Sequence, residues 1–310
     1  MIDFHDSEEF ILFSYHNPEV FASSKLVIGY GKKKEVDFDA GPFPCFTVND
    51  WKGNSLKCWN FEHYEEFDLE DDRLQDLILK NKEQALSLSL QDDLWKHSSE
   101  SKDSYSEKVR EIQEAMRLGE MYVMNLCLNL EGEIKSLSQG RKTIEVSSLK
   151  NFLLTSYLKF ISASPVHCGG VVFTREQIIC SMSPEVFIKQ EKEILSAYPI
   201  KGTGSMEYLK ESEKEISELQ MIIDLLRNDL GMIAERVWVE RERFYTTLSY
   251  FSHAQSDIKA QVSNFTWQKF QVLLPCGSMT GAPKSRVLKF TEKYEDFERG
   301  LYSGNFGMRK

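Results

Sequence analysis

Pro199-Ile200-Lys201-Gly202-Thr203 is the stretch on which the reading of this chain turns. The apolar run 194–200 predicts a strand that leads straight into a glycine-flanked turn carrying one lysine. A lysine at such a turn is ordinarily solvated surface, because lysine is seldom buried. It gains meaning only from three distant segments: Ser183-Pro184-Glu185, the run from Glu218 to Gly231, and the run from Gly277 to Gly307.

Outward from that turn, strands and helices mix without strict alternation. Downstream, 206–235 predicts a long helix, 237–244 and 248–260 extended segments, and 267–274 and 283–299 helices. Upstream, 170–173, 177–180 and 186–190 predict strands, 149–158 a helix and 121–130 a strand. Val109, Ile112, Met116 and Leu118 make a helical stripe that stops at Gly119. At the N-terminus 10–15 and 25–31 predict strands. Residues 66–104 are polar, with Leu74, Leu77, Ile78 and Leu79 predicting a short helix and 96–104 an exposed linker. The internal boundary is placed there, between a strand-rich region with its linker (1–104) and a second region (105–310). This order predicts the α+β class with antiparallel sheets rather than a doubly wound parallel sheet.

At 310 residues, 41% hydrophobic and 28% charged, the chain has the composition of a globular protein with a sizeable core. A net charge of −10 with no basic patch argues against a nucleic-acid partner. No apolar run reaches membrane-spanning length, and Met1 to Asp6 lack the basic start and apolar middle of a signal peptide. Six scattered cysteines without a Cys-x-x-Cys pair read as reduced thiols of a cytoplasmic protein.

The long helix separates site from surface. With Glu218 at zero and about 100° per residue, Glu215 falls at about 60°, Asp229 at about 20°, and Ile222, Leu226 and Leu219 between about 40° and about 100°. Acids thus share the apolar stripe, where exposed acids do not belong. They either flank it and snorkel, or form a buried edge that needs a cation or hydrogen-bond donors. Glutamates at i and i+3 offer hard oxygen donors suited to Mg²⁺. Glu185 follows a proline that fixes the backbone before it, and burial would equip its carboxyl as a general acid. An ordinary lysine amine is only about 0.04% neutral at pH 7, so a lysine nucleophile demands a bias of roughly 4–5 kcal/mol against its ammonium form. Gly277 to Ser285 is not a phosphate loop: the glycine spacing is wrong, and Pro283 removes an N–H where a cradle needs donors. It reads as a glycine-bearing loop entering a helix. His253 is a core histidine or an acid/base candidate.

Taken together, Ser183-Pro184-Glu185, Pro199 to Thr203, Glu218 to Gly231 and Gly277 to Lys284, with a weaker match around Asn125, resemble the chorismate-utilising enzymes. That family includes anthranilate synthase component I, aminodeoxychorismate synthase component I, isochorismate synthase and salicylate synthase. Lysine in the frame of Lys201 points to the aminodeoxychorismate synthase branch, where other branches typically carry alanine. The resemblance implies two facing antiparallel sheets flanked by helices, as in anthranilate synthase component I. It implies that Lys201 attacks chorismate while Glu185 protonates the departing C4 hydroxyl, that ammonia from a glutamine amidotransferase partner then adds at C4, and that Glu218 and Glu215 contribute to a Mg²⁺ site. His253, Thr203, Ser256, Thr280, Gly281 and Asn125 would complete the pocket. The sequence departs from the family at Tyr198, Val123, Cys276 and Met308. It also stops at Lys310, short of the strands, arginine and glutamate-bearing helix with which the family ends, which implies a C-terminally truncated member. The alternatives are an anthranilate or isochorismate synthase whose turn happens to hold lysine, and a truncated non-catalytic relative.

Overall fold

A computed structural model describes residues 9–17, 20–68, 71–73, 95–96, 100–129, 131–132, 146–163, 168–247 and 251–310. The predicted helix at 74–79, part of the linker, and residues 248–250 of a predicted extended segment lie outside the described residues.

Phe10-Ile11-Leu12-Phe13 accounts for the first sheet. Successive side chains of a strand point to opposite faces, so four apolar residues in a row need cover on both. β1 (Phe10–Asn17), β2 (Val20–Glu35), β3 (Cys45–Asn49) and β4 (Leu56–Asp68) join β8 (Cys168–Phe173), β9 (Ile178–Ser183) and β16 (Asn305–Arg309) in a 7-stranded sheet, order β16-β3-β4-β2-β1-β8-β9. Phe10, Leu12, Leu26, Ile28 and Phe173 pack on one side against Leu154, Tyr157, Leu158 and Ile161 of the helix Val146–Ala163. Ile11, Phe13, Val27, Phe46, Trp59, Phe61 and Val172 form a second core on the other side. The sheet coils over that second core. Phe306 of β16 meets Phe13 edge-on at 5.2 Å, although β3, β4 and β2 separate their strands in the order. Gly170 gives the Phe306 ring room: a Cβ there would lie 2.3 Å from the ring and 2.1 Å from the Leu12 carbonyl oxygen.

The second sheet holds β10 (Val186–Glu191), β11 (Ile194–Tyr198), β12 (Ile200–Gly204), β13 (Arg236–Thr247) and β14 (Ser252–Gln261). β11 and β12 share one side of β14 and β13 takes the other; every pairing in both sheets is antiparallel. Leu219, Ile222, Ile223, Leu226 and Leu230 of the helix Glu213–Gly231 pack on Leu195, Ala197, Ala254, Ile258 and Ala260. Two short pairings complete the strands: β5 (Trp95–Lys96) with β7 (Glu131–Gly132), and β6 (Val123–Met124) with β15 (Gly281–Ala282).

Four predicted elements differ. The helix expected over 206–235 is two, Met206–Glu211 and Glu213–Gly231, because the Ser212 hydroxyl accepts the Glu215 amide at 3.4 Å and starts a new helix. The strand expected over 121–130 is only β6 among the described residues, since its partner β15 is two residues long. The helix expected to reach 299 stops at Tyr294. The end of the expected linker is the first turn of the helix Lys102–Arg117, capped by Ser101, whose hydroxyl accepts the Ser104 amide at 3.1 Å. The sequence boundary at 104 does not divide the sheet: β1 pairs with β8, and β3 with β16.

Gly170→Ala forces a methyl group into the Leu12 carbonyl and the Phe306 ring, and we expect a loss of at least about 2 kcal/mol in urea unfolding. Gly231→Ala, which meets nothing within 4 Å at a helix end, serves as the contrast and should lie within about 0.5 kcal/mol of the parent protein or above it.

Candidate functional site

The two sheets are joined by the shortest of links. β9 of the first ends at Ser183 and β10 of the second begins at Val186, with Pro184 and Glu185 between them. The Ser183 hydroxyl donates to the Glu185 carbonyl oxygen at 3.2 Å and accepts the Glu185 amide at 3.4 Å, which fixes the crossover locally. The Glu185 carboxyl then reaches the second sheet. Its Oε2 accepts the Ile200 amide at 3.3 Å and its Oε1 accepts the Ser278 hydroxyl at 3.5 Å. Burial raises the carboxyl above the ordinary carboxylate range, while the Ile200 amide, the Lys201 charge and the Ser278 hydroxyl pull it back. Glu185 therefore holds its proton to higher pH than an exposed glutamate.

Lys201 lies next to that contact, and a bulge aims it. Pro199 separates β11 from β12, yet its carbonyl accepts the Ser256 amide at 3.1 Å and the ladder on β14 continues. The register then shifts between Ile200 and Thr203, so that Lys201 and Gly202 occupy the bulge. Gly202 takes φ +86, a left-handed conformation that a residue with a Cβ adopts at a cost. Bulges re-aim side chains beside functional sites. Lys201 is half-buried, and its charge acts on Glu185.

His253 stands opposite the bulge. It is the cross-strand partner of Thr203, whose hydroxyl is 3.0 Å from His253 Nδ1. Burial pushes the imidazole below its ordinary value, against a hydrogen bond to the Gly202 backbone, and this favours the neutral ring. Phe251 packs edge-on against it, with ring centroids 5.1 Å apart.

The remaining candidates are structural in their visible contacts. The Ser256 hydroxyl is fully buried and donates to the Glu242 carbonyl. The Thr280 hydroxyl donates to the Cys276 carbonyl at 2.9 Å. Asn125 braces the loop 277–281: its side-chain amide donates to the Met279 carbonyl at 2.9 Å and its backbone amide to the Thr280 carbonyl at 3.0 Å. Gly281, at φ +131, lets β15 approach β6 so closely that a Cβ would lie 2.1 Å from the Val123 carbonyl oxygen. Surface cavities of about 320 Å³ beside Trp51 and about 630 Å³ between the helix Glu213–Gly231 and β13 contain none of these residues.

The acids of the long helix divide. Asp229 is buried and ion-paired with Lys284 at 2.9 Å, so the lysine that might have served a phosphate loop serves the helix instead. Glu215 lies against Gly202 and accepts the Tyr208 hydroxyl at 3.1 Å. Glu218 is half-exposed and lies 3.7 Å from Lys214. Among the described residues no group of three or more His, Cys, Asp or Glu converges as metal ligands. Glu215 and Glu218 fit a Mg²⁺ only as one or two of its oxygen donors, with waters and a ligand carboxylate filling the rest.

Two members of the cluster were not among the site candidates read from sequence. Ser278 lay inside the segment tested for phosphate binding, and only the fold shows that its hydroxyl meets Glu185. Cys276 is buried behind it, Sγ 3.0 Å from Ser278 Oγ.

Comparison with known proteins identifies the family and the fold. The chorismate binding enzyme family matches residues 33–310. The chain is 33% identical over 227 residues to the chloroplastic aminodeoxychorismate synthase of Arabidopsis thaliana, covering 67% of this chain and 23% of that protein. It is 27% identical over 220 residues to aminodeoxychorismate synthase component 1 of Bacillus subtilis, covering 66% and 44%. Anthranilate synthase component I from Streptococcus pneumoniae superposes with a TM-score of 0.66 at 19% identity, over 97% of this chain and 80% of that one. The fold is therefore of the anthranilate synthase component I type. The chain spans between about a quarter and about a half of the length of the curated relatives it matches.

The buried Glu185 carboxyl has a stability consequence. A carboxyl raised in the folded state keeps its full contribution below the unfolded value and loses it as pH rises through the folded one. Glu185→Gln, which never ionises, should gain in melting temperature relative to the parent protein as pH goes from about 4 to about 8. A constant difference across that range would place the Glu185 carboxylate in solvent.

Proposed function

Because the chain belongs to the chorismate binding enzyme family, we propose that it acts on chorismate and ammonia to give 4-amino-4-deoxychorismate, the precursor of para-aminobenzoate and folate. The observation that carries this reading is that the Glu185 carboxyl accepts the amide of Ile200, the residue next to Lys201, at the junction of the sheets. A nucleophile and a proton donor are the two groups an aminodeoxychorismate synthase of this kind needs.

In the proposed sequence the Lys201 amine bonds to C2 of the ring. The ring's diene electrons shift and break the C4–O bond, and the Glu185 proton goes to the departing hydroxyl, which leaves as water. Ammonia then forms a bond at C4, the electrons shift back, and the C2–N bond to Lys201 breaks. His253, whose burial disfavours the charged ring, and Thr203 line the same bulge and would contact the ring substituents. Glu215 and Glu218 would contribute oxygens to a Mg²⁺, which when bound supplies charge for the substrate carboxylate. Ammonia would come from a glutamine amidotransferase. Among the described residues no helix is long and apolar enough to cross a membrane, and the six cysteines are free; a cytoplasmic location is part of the proposal.

The test is turnover of chorismate with ammonia and Mg²⁺, followed by chromatography of the products. We expect 4-amino-4-deoxychorismate, its loss in Lys201→Ala, and a rate loss on the order of 10²- to 10⁴-fold in Glu185→Gln. Anthranilate or isochorismate as the only new product, with little loss in Lys201→Ala, would assign the chain to another branch of the family.

A further inference from the structure

Glu185 has two carboxyl oxygens, and the structure treats them differently. Oε2 accepts from the Ile200 backbone amide, a group that can only donate. The carbonyl oxygen of a neutral acid is its better acceptor, so this contact favours Oε2 as the unprotonated oxygen and places the acid proton on Oε1. Oε1 faces Ser278 Oγ at 3.5 Å. A hydroxyl both donates and accepts, so it can serve either form of the carboxyl. Beyond Ser278 Oγ, at 3.0 Å, is the buried thiol of Cys276. Buried polar hydrogens need partners, and the hydroxyl hydrogens of the acid and of Ser278 each have one here.

We propose that Ser278 is the positioning residue for the acid proton of Glu185: its hydroxyl, held between Cys276 Sγ and Glu185 Oε1, orients that proton on Oε1 and, as a donor, stabilises the carboxylate left once the proton is delivered more than it stabilises the neutral acid. With the acid neutral, the Oε1 hydrogen points to Ser278 Oγ and the serine hydrogen to Cys276 Sγ. When the proton moves to the departing oxygen, the serine hydroxyl turns and donates to Oε1. No atom is gained or lost at Ser278; only its hydrogen changes partner. Geometry supports a built arrangement rather than a chance contact. The short helix Gly277–Thr280 that carries Ser278 is pressed against the long helix, where a Cβ on Gly277 would lie 2.5 Å from Leu225. The catalytic part of this inference rests on the proposed function, while the proton's location does not.

The experiment is a ¹³C NMR titration of glutamate side-chain carboxyls in the protein without substrate, with the Glu185 signal assigned by its loss in Glu185→Gln. Removing a donor to the charged form makes the carboxylate less favourable. Ser278→Ala should raise the Glu185 midpoint by about one pH unit, and Ser278→Thr, which restores the hydroxyl, should return it. In turnover, the limb on which activity falls with rising pH should move up by the same amount in Ser278→Ala, with KM unchanged. An unmoved midpoint in Ser278→Ala overturns the inference, and so does a shift that Ser278→Thr fails to reverse. Should Ser278→Ala not fold by circular dichroism, Ser278→Cys carries the test: its weak S–H donor should give a smaller rise in the same direction, and an unchanged midpoint again overturns it. Because the titration needs no chorismate, a protein that titrates as expected yet makes no aminodeoxychorismate refutes the proposed function and leaves the role of Ser278 standing.

Discussion

A carboxyl group placed between two sheets, away from bulk water, must find its partners in whatever the junction supplies. Glu185 finds a backbone amide from β12, a hydroxyl from the loop before β15 and the charge of Lys201. The first and last are neighbours in β12, but Glu185, that pair and Ser278 are far apart in sequence. The crossover Ser183-Pro184-Glu185, the bulge at Lys201–Gly202 and the helix Gly277–Thr280 each have a local reason for their conformation, yet they meet only at this one side chain. Burial raises the carboxyl and three partners pull it down, with burial the larger effect.

The loop that brings Ser278 is held from both sides by buried ion pairs. Lys284, just past β15, pairs with Asp229 of the long helix at 2.9 Å and donates to the Leu273 carbonyl at 2.8 Å. On the other side Glu295 and Arg299 pair with side-chain exposures of 1% and 0%. Arg299 also donates to the Asn125 carbonyl at 2.7 Å and stacks over Trp51, its guanidinium carbon 4.5 Å from the ring centroid, while Glu295 accepts the Cys127 amide at 2.9 Å. Asn125 in turn holds the carbonyls of Met279 and Thr280. A buried pair contributes little net stability beside an apolar replacement, but breaking one partner is costly. These pairs fix where the loop lies more than they hold the protein together.

The sequence carried the reading wherever a residue acts through its immediate neighbours. The apolar run 10–15 predicted a strand, and the acids on the apolar stripe of the long helix, where buried, called for a cation or hydrogen-bond donors. Asp229 has one in Lys284. Legibility failed where a contact depends on tertiary closure. Ser212 looks like any polar residue within a helical period, and only its cap geometry shows that one predicted helix is two. Asn125 and Ser256 belong to segments of the resembling family, yet their polar atoms in this fold are committed to neighbouring carbonyls. The bulge beside Lys201 was invisible because register is a property of two strands, and β14 is some fifty residues further along the chain.

The proposed chemistry asks Glu185 to be protonated and Lys201 to be neutral, and these two demands do not need opposite conditions of pH. The charged pair and the neutral pair hold the same number of protons and differ only in where one of them sits. Bulk pH therefore cannot choose between them; solvation does. Water stabilises the ion pair, and a dry site favours the neutral pair because separated charges lose more by burial than hydrogen-bonded neutral groups. Burial already raises the Glu185 carboxyl before any ligand is bound. A ring seated over the bulge would exclude further water and move the balance in the same direction. On this argument the site is poised by how much water it admits.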